Sequence, residues 1–596
     1  MADNTNTTQL DLNNKEWQQA LQVIQYTNHS IFLTGKAGTG KSTFLKYVAQ
    51  TIKKKHVILA PTGIAAINVG GVTLHSFFKL PFYPLLPNDS RYSVRNIRKE
   101  LKYNSEKCKL LREVELIIID EISMVRADII DFVDKVLRIY THRMKEPFGG
   151  KQMLFVGDVY QLEPVLKDDD RKLLQPFYTS NYFFGARVFQ TYSLVSIELK
   201  KVYRQVDPTF ITILDRIRTN KVSSHDLLKL NTRVIPEQAQ GENAGSNQEA
   251  KSEDEQDQSL TITLSTRRDQ VDWINAQELD KLPGNPTTFY GIVEGDFPQS
   301  SLPTPQELAL KVGAHVMFIK NHVNHLWVNG TLGRVIGIDD EEERLYILTD
   351  EGAELQVEKE QWENTRYHYN EKENKIEEEI IGTYQQFPVK LAWAITIHKS
   401  QGLTFNNVSI DFTGGVFAGG QTYVALSRCT SLEGIRLVQP IKPREIFVKN
   451  EVVQFAKHFN DNNLINVALQ QSQADKEYAQ AIEAFNQCRF DSFIQHFFVA
   501  IHLRYDIEKP EVKRFIRMKL NHFNTLKAEN IQLRQQLRQT TDYLNRLATE
   551  YVIMGKECEH EQMTDAAIRN YEKALELCPH HTEATNRLNE LNKHNK

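Results

Sequence analysis

At 596 residues the chain is too long for one hydrophobic core and calls for several domains. Hydrophobic residues at 41% and charged residues at 25% are ordinary for a soluble protein, and no stretch of about 18 uncharged apolar residues marks a membrane-spanning helix. Five scattered cysteines without CxxC spacing exclude a disulfide scaffold and a structural zinc site, and a net charge of −4 excludes an overall basic protein but not a basic channel.

Residues 15 to 28 read as a helix with Trp17, Leu21 and Ile24 on one face. The apolar run Ile31-Phe32-Leu33 then leads into GKAGTGKS, Gly35 to Ser42, and on into a helical pattern, the strand–loop–helix context of a phosphate-binding loop. Gly35, Gly38 and Gly40 let backbone amides and the helix N-terminus converge on phosphate oxygens. Thr39 and Thr43 complete the lining, Lys41 is placed for the β- and γ-phosphates of ATP, and Ser42 offers a hydroxyl to Mg²⁺. A glycine-rich turn that only joins strand to helix is the bland alternative, and the two correct flanks weigh against it.

His56 to Ala60 is the continuous apolar run of a strand buried on both faces, followed by PTGIAAINVGGVTLHSFF, Pro61 to Phe78. Residues 79 to 112 change character and read as a small insertion, with Phe77, Phe78, Phe82 and Tyr83 at its start. The sheet resumes at Val114 to Ile119, ending in Asp120-Glu121, and at Gln152 to Val156, followed by Gln161. A carboxylate at such a strand end can hold Mg²⁺ and its neighbour can activate water against the γ-phosphate, whereas a helix cap is the plain alternative. The amide of Gln161 could sense the γ-phosphate. Alternating strands and helices of this length predict a doubly wound α/β domain.

The acidic stretch 236 to 258 lacks aromatic and β-branched residues and reads as a disordered loop. A second α/β pattern begins with a strand at Leu260 to Ser265 and a helix at Arg268 to Leu282, is interrupted by a β-rich insertion over 283 to 382, and returns at Lys390 to Thr396, Val408 to Phe412 and Ile435 to Val438. After about residue 450 the pattern is wholly helical. Leu526, Leu533, Thr540 and Leu547, with Asn530, Leu537 and Leu544 between them, form a heptad that fits an intramolecular hairpin or a dimer seam. Gly555, Ala567, Tyr571, Ala574 and Pro579 have tetratricopeptide-like spacing, and Phe490, Phe493, Phe497 and Ala500 form a degenerate earlier copy, with a plain helical tail as the alternative.

Seven ordered motifs, TGKAGTGKS, APTGIAAINVGG, IIIDEISM, GDVYQLEPV, VYRQ (Val202 to Gln205), AITIHKSQGLTF (Ala394 to Phe405) and TYVALSRC (Thr422 to Cys429), resemble the PIF-type (petite integration frequency) DNA helicases of superfamily 1, with RecD-type helicases as more distant relatives. The resemblance covers approximately residues 12 to 445. It implies two RecA-like P-loop lobes: 1A over 1–76 and 113–195, and 2A over 196–282 and 383–450. It further implies a wedge insertion 1B over 77–112, an SH3-like insertion 2B over 283–382, closed by strands at Lys311 to Lys320 and Val328 to Gly333, and an all-α extension over 451–596.

The resemblance implies that Lys41 and Ser42 hold phosphates and Mg²⁺, Asp120 supports the metal, Glu121 is the base, Gln161 couples the lobes, and Arg204 and Arg428 are arginine fingers. Gln18 or Gln19 is the candidate for adenine. Thr62, Gly63, His75, His398, Lys399, Ser400 and Gln401 are the expected DNA contacts, with helix capping the alternative role for Thr62 and His75. The implied activity is ATP-dependent 5′-to-3′ translocation on single-stranded DNA with unwinding of forked duplexes, RNA–DNA hybrids or G-quadruplexes, in repair, recombination or telomere-like maintenance. A translocase that displaces proteins and an ATP-gated interaction module are the alternatives. The expected setting is a bacterial-type cytoplasm, at the nucleoid when acting and without a membrane partner, and the helical tail is expected to dock a protein or self-associate.

Overall fold

The structure, a computed structural model, describes residue 11 and residues 13–81, 83–205, 207–235, 261–324, 326–350, 352–370 and 375–594. The acidic stretch 236–258, Leu260 and Phe82 lie outside the described residues. The chain divides into two compact units, residues 1–496 and 497–596. Among the described residues no helix is long and apolar enough to cross a membrane.

In the first unit, short apolar runs form β1 (Ile31–Gly35), β2 (His56–Ala60), β3 (Val72–Thr73), β4 (Leu116–Ile119), β5 (Gln152–Val156) and β6 (Val195–Leu199). They make one parallel sheet in the order β3-β2-β4-β5-β1-β6. Side chains of β1, β4 and β5 are fully buried because helices cover both faces, which is why these strands show no alternation. With β4, β5 and β1 adjacent, the segments that follow them leave the same edge of the sheet, where doubly wound folds hold ligands.

Three expected boundaries move. β6 pairs along its whole length with β1, so the first lobe continues through Leu199 rather than ending at 195. Among the described residues, 77–112 have no core of their own: Phe77, Phe78, Leu85, Ile97 and Leu110 share one cluster with β4 and the helix Ala127–Thr141. The helical extension also starts inside the lobe. Val452 joins that cluster, and Ile465 and Ala468, from the helix Asn462–Asn486, pack with Ile31 and with Trp17 and Ala20 of α1 (Lys15–Tyr26).

A second parallel sheet runs in the order Ala394–Thr396, Ile262–Ser265, Val408–Asp411, Ile435–Leu437. The single strand expected at 390–396 is two strands. Val389–Leu391 pairs with His315–Phe318 in a five-stranded antiparallel sheet, and Ala394–Thr396 enters the parallel sheet. The β-rich insertion therefore extends to 391, past the expected 382, around a core that includes Phe289, Val316, Phe318, Ile347 and Val389. Residues 328–331 form a turn before the strand Leu332–Asp339.

The second unit is all helix. The helix Pro510–His560 packs Ala548 and Val552 against Ala567, Tyr571 and Ala574 of the helix Thr564–Leu577, and Ala584 of the helix Thr582–His594 completes the core. Gly555 lies against the Tyr571 ring, where a Cβ would come within 2.5 Å.

Candidate active site

The loop after β1 lines a cleft of about 470 Å³ between the two lobes, together with Asp120, Glu121, Gln161, Arg204 and Arg428. α2 (Lys41–Thr51) begins at this loop, and its N-cap Gly40, at φ 80°, offers no side-chain cap, so the first-turn amides keep their capacity for an anion. Gly38, at φ +78°, is required by the second lobe's approach: a Cβ there would sit 2.4 Å from Cβ of Arg204. Thr39 is buried, its hydroxyl donating to the Lys36 carbonyl at 2.9 Å, while Ser42 and Thr43 line the cleft. Lys41 Nζ donates to the carbonyls of Gly35 and Lys36, at 2.8 and 3.0 Å. Burial lowers its pKa, while Asp158, Glu121 and Asp120 pull the other way.

Asp120 and Glu121 follow β4 directly. Burial, and then the neighbouring Glu121, push the Asp120 carboxyl up to about 7. Glu121 has left-handed backbone (φ 48°, ψ 43°), a costly conformation for a non-glycine residue of the kind found at functional sites. Burial raises its pKa too, against the pull of Lys41 and Arg428.

Gln401, expected as a DNA contact, also reaches the cleft. Its Nε2 donates to Glu121 Oε2 at 2.9 Å and to Gln161 Oε1 at 3.2 Å, bridging the lobes across the cleft. Ser400 departs from its expected role as a DNA contact: it is fully buried, its hydroxyl donates to the Ile397 carbonyl, and its own carbonyl accepts from Arg428 Nη1. Arg428 is 1% exposed and donates to the carbonyls of Val424, Ser400 and Leu403 and to Ser427 Oγ. Burial, then Arg204, lowers its pKa to about 9. Arg204 donates to the carbonyls of Ser427 and Gly402.

The remaining expected contacts divide between two roles. Thr62 caps α3 (Gly63–Val69) by accepting from Ala65 N–H, and Gly63 faces Ser301 of the β insertion. His75, in the short helix Leu74–Phe78, is kept neutral-leaning by burial and by Arg126. His398 stacks on Phe417 with ring centroids 6.2 Å apart. Lys399 is exposed and, with Gln401, Lys390, Asn68 and Asn329, lines a second groove where Asn329 Nδ2 donates to Asn68 Oδ1 at 3.0 Å.

Gln18 is an exposed position of α1 and Gln19 a half-buried one, and neither lines the cleft. At that end stand Trp17, Asp11 and Tyr203, with Tyr203 Oη donating to the Asp11 carboxylate at 3.0 Å.

Three further residues hold the two lobes together: Tyr423 lies within the motif Thr422 to Cys429 without an expected role, and Arg218 and Gly420 lie outside the motifs. Tyr423 Oη accepts from the Ala37 amide at 2.9 Å, tying the phosphate loop to the second lobe. Arg218 is 3% exposed, donates to Asp158 and Glu198 of the first lobe, and lies over the Tyr160 ring. Burial opposes its charge, but Asp158 outweighs that and keeps it a cation. An arginine closing the amphipathic helix Pro208–Arg218 was the available clue. Gly420, at φ +80°, sits so close to the Tyr160 and Gln161 carbonyls that a Cβ would be 2.3 Å away.

The PIF1-like helicase family model matches residues 9–226. The ATP-dependent DNA helicase Pif1 of Bdellovibrio bacteriovorus is 30% identical over 450 residues, covering 74% of this chain and 91% of that protein. The chain belongs to the PIF1-like helicase family. The zebrafish (Danio rerio) ATP-dependent DNA helicase PIF1 is 34% identical over 469 residues, 76% of this chain, and the match spans 64% of that relative's length. Among solved structures, Bacteroides sp Pif1 in complex with ADP-AlF4 is 40% identical with a TM-score of 0.66, over 74% of this chain and 96% of that one. Bacteroides Pif1 bound to ssDNA is 39% identical with a TM-score of 0.52, over 75% and 97%. The Bacteroides chains are thus covered almost end to end by about three quarters of this PIF1-like chain.

Proposed function

We propose that this chain is an ATP-dependent DNA helicase that moves 5′ to 3′ along single-stranded DNA and separates forked duplexes, RNA–DNA hybrids or G-quadruplexes. The carrying observation is the Gln401 bridge to Glu121 and Gln161. It joins the carboxylate positioned for hydrolysis to a segment whose neighbour Lys399 lines the second groove.

The cleft fits ATP with Mg²⁺: uncapped amides meet the phosphates, and Ser42 with Asp120 supplies the one or two protein oxygens that Mg²⁺ takes when phosphates and waters provide the rest. Mg²⁺, when bound, neutralises charge on the phosphates. Lys41 trades its loop carbonyls for phosphate oxygens. Glu121, its proton affinity raised by burial, takes the proton of the attacking water. Arg204 and Arg428 supply positive charge from the second lobe against the charge that develops on the γ-phosphoryl group. Trp17 forms a flat wall for the base in place of the expected glutamine, and Asp11 accepts from the adenine 6-amino group.

The strand crosses the second groove, held by Lys399 and Lys390, with Thr62, Gly63, His75 and His398 along the same path. Residues 77–112 act as the wedge, and the β insertion, as the SH3-like 2B element, lies over α3 through Ile67 and Asn68. The setting is a bacterial-type cytoplasm, in repair, recombination or telomere-like maintenance, and the tetratricopeptide-like helices serve protein docking or self-association.

The test is strand separation of forked duplexes bearing a 5′ or a 3′ single-stranded tail, by wild type and Glu121→Gln. Unwinding of the 5′-tailed fork alone, reduced by about 10²–10⁴-fold in the variant, is expected. Unwinding of the 3′-tailed fork alone would overturn the polarity, and unwinding of neither would overturn the helicase reading.

A further inference from the structure

The helix Pro510–His560 runs uninterrupted through the heptad stretch, so its two halves cannot fold back on each other as a hairpin. Residues 521–543 are exposed at every position, about six turns of helix. Leu526, Leu533 and Leu537 are 49%, 63% and 68% exposed. A helix that sets large aliphatic side chains on one face at alternating steps of four and three is under-wound to 3.5 residues per turn when another helix packs along it. From Ile516 to Leu547 the seam is about 48 Å long.

The chemistry of the seam selects its occupant. With Leu526 at d, Asn530 falls at a, where an aliphatic partner would leave its amide buried and unpaired. In a parallel, in-register pair of identical helices two Asn530 side chains meet and satisfy one another, which fixes both register and strand number. The flanks agree. Glu529 at g faces Arg534 at the e position of the next heptad on the other strand, and two-fold symmetry makes that ion pair twice. In an antiparallel pair e faces e, and the e positions Lys513, Leu520, Lys527, Arg534, Thr541 and Ala548 include no carboxylate.

We propose that the second compact unit is a dimerisation module, in which the helix Pro510–His560 pairs in parallel and in register with the same helix of a second copy. The seam occupies residues 516–547. Beyond it, Ala548 and Val552 turn to the unit's own core, so each copy keeps its packed helices while the seam is shared. The reading is independent of the motor chemistry.

The test is sedimentation equilibrium of the full chain over a concentration series. Wild type is expected at twice the 68.9 kDa chain mass. Leu533→Glu combined with Leu537→Glu, both exposed in the single chain, is expected to halve the observed mass while binding of a fluorescent ATP analogue persists as the control for folding. Glu529→Arg and Arg534→Glu are each expected to raise the dimer dissociation constant several-fold, and their combination to restore it. A single-chain mass throughout, a mass other than two chains, or a dimer indifferent to the paired glutamates overturns the proposal. A dimer whose charge swap is not rescued overturns the parallel register.

Discussion

At Lys390 burial, and then the neighbouring Lys399, work against ionisation and bring its pKa down from 10.5 to about 8. On the proposed function, in which the second groove carries the phosphate backbone, Lys390 must be charged to hold it, so DNA binding favours the protonated form. As pH rises through 8 the free protein's Lys390 becomes neutral, and each binding event must then take up a proton. The affinity for a single-stranded oligonucleotide is therefore expected to fall between pH 8 and 10, by up to about tenfold per pH unit. Fluorescence anisotropy would show this slope in wild type and a flatter one in Lys390→Gln. Equal slopes would remove Lys390 from the DNA path. The same residue marks what the sequence leaves hidden. Lys390 stands four residues ahead of a recognisable motif, in a strand whose role depends on which sheet it joins. Gln401 shows the converse: its motif was legible, but not that its side chain bonds Glu121 from the other lobe.

Among the elements, the helix Pro208–Arg218 does more than pack on the second lobe. Its last residue delivers Arg218 to Asp158, on the segment that also carries Gln161, and to Glu198 on β6. Arg218→Met would leave Asp158 buried without its counter-charge, at a cost of about 3–5 kcal/mol. A matching fall in stability, read from the denaturation midpoint of the first unit, is expected. A change below about 1 kcal/mol would show that the pair is solvated. Strands β1, β4 and β5 were legible because continuous apolar runs admit few other readings. β6 and the strand pair at 389–396 were not, because boundaries between inserted and parent domains are set by pairing partners far away in the chain. The wedge segment misleads for a related reason: its aromatics look like a separate small core but are absorbed by the lobe beneath them.

For the whole molecule, the division that matters for stability lies near residue 496 rather than 451. Val452, Ile465 and Ala468 are core residues of the first lobe, and Ser472 Oγ donates to the Gln22 carbonyl at 2.7 Å. A chain ending at 496 is expected to keep wild-type ATP binding and melting of the motor. One ending at 449 loses buried side chains worth about 1.5–3 kcal/mol each and is expected to melt several degrees lower. Equal melting would return the boundary to 451.

On the proposed function, hydrolysis and strand binding are linked through Gln401, which bonds Glu121 and Gln161 and lines the second groove. The direct test is steady-state ATP turnover with and without saturating single-stranded DNA, in wild type and Gln401→Leu. The expected result is strong stimulation of wild type by DNA, measured as the ratio of turnover with and without DNA, with most of that ratio lost in the variant. Turnover indifferent to DNA in wild type, or full stimulation in the variant, would contradict the linkage.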